Sequence, residues 1–116
     1  MTKERLKKLK SFIIQLLRRG TYRWIERNNA LKTARISRGL YKCAICSEIF
    51  KKKDIRIDHI NPVVDPKTGF VGFDVYIDRM FCEASGFSIV CEPCHSYKTS
   101  TEREVRKIYR KKRKLK

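Results

Sequence analysis

No stretch of this sequence approaches the roughly 18 consecutive apolar residues needed to cross a bilayer. Its longest apolar run, Phe12 to Leu17, is interrupted by Gln15. No small-residue cleavage site follows, so the segment reads as neither anchor nor signal peptide. Acidic side chains are scarce: 12 Asp and Glu stand against 29 Lys and Arg, a formal net charge of +17. The sequence pI is near 10.1. An excess that large exceeds what solubility requires. It concentrates polyanions and supplies sequence-independent affinity for phosphate backbones. Histidine is rarer still, with two in the whole chain. No internal repeat is visible, and at 116 residues the chain has the size of one domain with a modest core.

Apolar residues recur at helical spacing over residues 3 to 19 (Leu6, Leu9, Phe12, Ile13, Leu16, Leu17), with Lys and Arg opposite. A basic amphipathic helix of this kind can lie on a membrane. Packing of its stripe on a second helix, read from Tyr22 to Ser37 through Trp24, Ile25, Leu31 and Ile36, is the favoured expectation. Ile55 to Ile60 alternates with period two and reads as a strand that Asn61-Pro62 breaks. Asp65 to Gly69 reads as a loop. Phe73, Tyr76, Ile77, Met80 and Phe81 fall on one face of a two-turn helix. Phe87 to Val90 reads as a second strand, a helix is expected near Pro93, and the tail from Thr101 is again helical. Of its last 11 residues, 8 are Lys or Arg. The division expected is a basic helical arm over 1–39, a central unit over 40–100 and a basic tail over 101–116, in the α+β class.

Cysteine is used in a particular way. Four of the five cysteines form Cys43-Ala-Ile-Cys46 and Cys91-Glu-Pro-Cys94. Two such knuckles make the tetrahedral thiolate set that a structural Zn²⁺ prefers. The intervening 44 residues must then fold as a unit that brings the pairs together, which the strand, helix and strand can do. A redox role for either pair would want a βαβ context, and none surrounds them. Cys82 reads as a small buried hydrophobe. Because a four-thiolate zinc has no open position, it would hold the scaffold and take no part in chemistry. Cysteines used this way point to an intracellular protein.

Both histidines sit where that staple matters. His59 follows Asp58 at the end of the first strand, and His95 directly follows Cys94. If zinc ties the knuckles, the helix carrying His95 is drawn against the strand carrying Asp58. A carboxylate and an imidazole then converge as a partial shell for a divalent ion, the rest left to water and phosphate oxygens.

The run Asp58-His59-Ile60-Asn61-Pro62, bracketed by the CxxC pairs and followed by Cys91-Glu-Pro-Cys94-His95-Ser-Tyr-Lys98-Thr99, resembles the HNH endonucleases, most closely the small ones encoded by bacteriophages. The match covers residues 41 to 100. The resemblance implies a ββα-metal (HNH, or His-Me finger) unit stapled by the four-cysteine zinc and flanked by the basic helices. It implies that Asp58 and His95 bind a catalytic Mg²⁺, Mn²⁺ or similar ion and that His59 is the general base. The activity implied is metal-dependent cutting of DNA to 5′-phosphate and 3′-hydroxyl ends, as nicks or double-strand breaks. The partner would be double-stranded DNA and no membrane, the protein a monomer or dimer, and its place the cytoplasm of a bacterial host. Lys98, Arg56, Lys112 and Arg113 are the expected phosphate contacts. The chain departs from the family at the middle Asn, five residues before Cys91, where it has Gly86 after Ser85. Ser85 could supply a hydroxyl instead. That departure keeps a second reading open, a zinc-stabilised DNA-binding protein with weak or silent chemistry.

Overall fold

The protein is described by a computed structural model covering residues 1–114, so the last two residues of the basic tail lie outside it. Helix α1 spans Lys3–Gly20, opened by Thr2, whose hydroxyl accepts the Arg5 N–H at 3.1 Å. After a 3₁₀ turn over Thr21–Arg23, α2 runs Ile25–Ala34. Strands β1 (Arg35–Ser37), β2 (Leu40–Lys42) and β3 (Ile49–Lys51) form an antiparallel meander. Strand β4 (Ile55–His59) pairs antiparallel with β5 (Phe87–Cys91) in a separate two-stranded sheet, and α3 (Phe73–Met80) lies between them in the chain. The long α4 (Glu92–Lys114) follows β5 directly. The class is therefore α+β.

Three expectations are corrected. The helix read from Tyr22 to Ser37 stops at Ala34, and Arg35–Ser37 is a strand. The cause is the hairpin that follows: Ser37 faces Leu40 across a tight turn in which Gly39 takes φ 76°, a left-handed conformation that costs glycine little. The two helical segments expected after Pro93 are one continuous helix, with Pro93 in its first turn, where a missing N–H costs nothing. The stripe of α1 packs on α3, and much of it stays open, Phe12 being 56% exposed.

The core explains why β5 reads as nearly continuous apolar sequence: it is covered on both faces. Phe87 and Ile89 join Ile55 and Ala30 in one cluster, onto which Trp24 and Leu31 of the N-terminal segment pack. Val90 and Cys91 join Cys43 in a second, flanked by Phe50 and Cys94. By contrast β4 keeps Arg56 exposed, the alternation expected of a half-buried strand. The N-terminal segment is also pinned by polar contacts. Trp24 Nε1–H donates to the Cys82 carbonyl at 2.6 Å, and a Glu26 carboxylate oxygen accepts the Ala84 N–H at 2.9 Å.

Candidate metal centre and polar site

The cysteine knuckles meet. Cys43 follows β2, and the chain turns through Cys46 and Ser47 into β3. The turn is closed by Cys43 N–H to the Glu48 carbonyl at 2.9 Å and Ser47 N–H to the Cys43 carbonyl at 3.0 Å. The Ala44 N–H donates to the Ile89 carbonyl at 2.8 Å, lashing this turn to β5. Cys91 ends β5 and Cys94 lies in the first turn of α4. The four sulfurs lie within 4.8 Å of one another, so the set could hold a metal ion such as zinc, for which four thiolates are a preferred shell.

Electrostatics inside the cluster point the same way. Burial pushes the Cys43 thiol up, but donation from the backbone N–H groups of Cys46 (3.5 Å) and Cys91 (3.3 Å) outweighs it and brings the thiol down to about 6. Cys94 is pushed up to about 12, first by its hydrogen bond with Cys91 and then by burial. One sulfur is ready as a thiolate while its neighbour resists a second negative charge. A bound cation removes that conflict.

The second cluster centres on Asp58. Its carboxylate takes the Lys98 ammonium at 2.5 Å, and the same ammonium donates to the His59 carbonyl at 2.6 Å and lies 3.6 Å from Glu102. Two residues back on β4, Arg56 Nε meets Glu92 at 2.7 Å. These two bridges turn the Arg56–Asp58 side of β4 toward the flank of α4 that carries Glu92 and Lys98. His95 lies between those two on that helix, three residues from each, and is half-buried.

His59 takes the other direction. Its ring packs on Phe87, its direct partner across the strands, at a centroid distance of 4.8 Å. Its Nε2 lies 2.9 Å from the Met80 carbonyl at the end of α3. A carbonyl oxygen only accepts, so the ring donates through Nε2 in this contact, which in the neutral ring leaves the lone pair on Nδ1. The Met80 carbonyl is one of those that a helix end leaves without an intrahelical partner, and the Thr21 hydroxyl also donates to it, at 3.4 Å.

Asp58 on β4 is thus tied to α4 through Lys98, His95 lies on that same helix, and the His59 ring is held against Phe87 and the Met80 carbonyl. Among the described residues, the four cysteines are the one group of three or more potential ligands within reach of a single ion. Of the expected phosphate contacts, Lys98 and Arg56 are engaged in the ion pairs above. Arg113 donates to the Lys67 carbonyl at 2.5 Å, and the Lys112 ammonium stands 4.9 Å from the Tyr109 ring centroid.

Gly86 sits in a 3₁₀ turn over Ala84–Gly86. Its carbonyl accepts the Ile60 N–H at 2.9 Å, tying down the chain immediately after His59, and its own N–H reaches the Glu83 carbonyl at 2.9 Å. A Cβ at this position would stand 2.6 Å from Cys82 Sγ. The site thus excludes an asparagine as it stands, and main chain holds the loop instead. Ser85 is exposed on the same turn. Sequence reasoning missed the role of Lys98 as the partner of Asp58 and that of the Met80 carbonyl. Neither leaves a sequence signal, because both depend on tertiary contacts.

Compared with known protein families, curated proteins and solved structures, the chain matches none. No helix among the described residues is long and apolar enough to cross a membrane.

Proposed function

We propose that this protein is a metal-dependent DNA endonuclease of the HNH type, built on β4, β5 and α4 and stapled by zinc on Cys43, Cys46, Cys91 and Cys94. The observation that supports this reading is the ion pair of Asp58 on β4 with Lys98 on α4, with His95 three residues before Lys98 on that helix. The Lys98 ammonium marks the Asp58 carboxylate as a position where positive charge is favoured, and a carboxylate-imidazole pair suits a divalent ion. Asp58 and His95 would hold Mg²⁺ or Mn²⁺ there. When bound, such an ion supplies charge neutralisation on a phosphate oxygen and on the leaving 3′ oxygen.

The remaining work falls to the chain's own groups. His59, held by the Met80 carbonyl with its Nδ1 lone pair free, takes the proton from the attacking water. The carbonyl of Gly86 fixes the turn behind it. With an ion on the Asp58 carboxylate, Lys98 would be free to meet a phosphate oxygen, which would keep the local charge balanced. The net charge of +17 supplies affinity for the duplex without reading sequence. In the phage setting that the motif resembles, the substrate would be host or phage DNA in the bacterial cytoplasm.

A second reading, a zinc-stabilised DNA-binding protein with little or no chemistry, draws on Gly86 and on the engagement of Asp58 by Lys98. Plasmid DNA offered with a panel of divalent metals separates the two: nicking or linearisation supports the first, binding without cutting the second.

A further inference from the structure

Beside β4, between the N-terminal segment and α4, lies a cavity of about 300 Å³. Its size is at the lower end of small-molecule pockets, about 300–1,000 Å³. Positive charge gathers around it from separate parts of the chain: Arg27 from α2, Lys52 from the turn before β4 and Arg56 from β4, with His95 from α4 beside them and Ile57 on the apolar floor. No carboxylate lines it. Arg56 is answered by Glu92 outside the lining, but among the described residues neither Arg27 nor Lys52 has a carboxylate within 4.0 Å. The Arg27 guanidinium is fixed 4.4 Å above the Tyr22 ring, and burial lowers its pKa. A cation held in place, partly stripped of water and without a counter-charge calls for an anion. A guanidinium fork suits phosphate oxygens in particular.

We infer that this cavity is a subsite for a backbone phosphate of a nucleic-acid strand, with Arg27 and Lys52 as its principal contacts. The N-terminal segment thereby completes the binding surface beside His95. The inference rests on the nucleic-acid reading for the class of ligand, but it does not need the strand to be cut.

The test is binding of a fluorescein-labelled 12-base-pair DNA duplex, followed by anisotropy on zinc-replete protein with no Mg²⁺ or Mn²⁺ added. Arg27→Gln and Lys52→Gln should each weaken binding about tenfold or more, as expected for lost charge-assisted contacts. Lys7→Gln, which removes one exposed charge of α1, should weaken it no more than about twofold through the general field. Equal losses for all three overturn the subsite. Should Arg27→Gln disturb folding, the wild-type protein still decides. The Arg27 Nε–H resonance should shift on adding the 12-mer at concentrations where inorganic phosphate leaves it in place. No shift with the 12-mer, or an equal shift with phosphate alone, overturns the assignment to a strand. The nuclease reading fails separately: absent plasmid cutting with Arg27-dependent binding intact removes the enzyme and leaves the subsite. Cutting by a protein whose Arg27→Gln variant binds like the Lys7 control does the reverse.

Discussion

Cys82 Sγ fills the space that a side chain on residue 86 would need, 2.6 Å from where its Cβ would stand. The glycine at position 86 and the fifth cysteine are thus one feature. Gly86→Ala is expected to destabilise the protein by about 1–3 kcal/mol, the usual cost of overpacking. Because the Cys82 Cβ is also close, at 3.0 Å, Cys82→Ala should remove most of that cost, though not all of it. A double-mutant cycle by urea denaturation measures the coupling. Additive effects would mean that the two residues do not compete for space.

The cysteine cluster should carry one zinc per chain, lost on Cys91→Ser, with metal content measured directly. Its pH behaviour without metal follows from the two opposed thiols. Cys43 titrates near 6 in the folded chain against an ordinary value of 9.0. Its contribution is fully present above pH 9 and is lost as pH falls toward 6. Cys94 is raised to about 12, so the folded state loses ground above pH 9, where the unfolded thiol ionises first. Metal-free, reduced protein should gain stability from pH 6 to 9 and lose it beyond. In Cys43→Ser the rise should flatten, read from denaturation midpoints at constant ionic strength. An unchanged rise in that variant would place its origin elsewhere.

The ammonium of Lys98 and a divalent ion would compete for the Asp58 carboxylate. Lys98→Met should therefore tighten Mn²⁺ binding about two- to fivefold, matching the roughly 0.5–1 kcal/mol of a partly exposed ion pair. Plasmid cutting should fall at the same time, since the phosphate loses a contact. Mn²⁺ titration followed by electron paramagnetic resonance reads the first effect without reference to activity. Unchanged or weaker Mn²⁺ binding would show that Lys98 and the ion do not share a position.

How far the sequence announced this arrangement varies by element. The strands read over Ile55–Ile60 and Phe87–Val90 fall within a residue of those formed, Ile55–His59 and Phe87–Cys91, because alternation and apolar runs report burial directly. The CxxC pairs are legible because thiolate chemistry demands that spacing. The meander was not. Its strands have three residues each, too few for a period-two signal to stand out from the helical pattern before them. They exist because the first cysteine knuckle is mounted on the turn between β2 and β3. At the polar site, Asp58 and His95 were legible as residues worth attention, but their surroundings were not. Lys98 reaches Asp58 across 40 positions, and the space at Gly86 is set by a side chain four residues earlier whose direction only packing decides.

The central claim is that His59, Asp58 and His95 cut DNA, and a plasmid cleavage assay tests it most directly. Supercoiled DNA is incubated with wild-type or His59→Ala protein, zinc-replete, across Mg²⁺, Mn²⁺ and other divalent ions. The account predicts metal-dependent nicking or linearisation by the wild type. It predicts loss by at least about a hundredfold in His59→Ala, the low end of what general acid–base catalysis contributes, with DNA binding retained. Undiminished cutting by His59→Ala, or no cutting by the wild type with any metal, would contradict it.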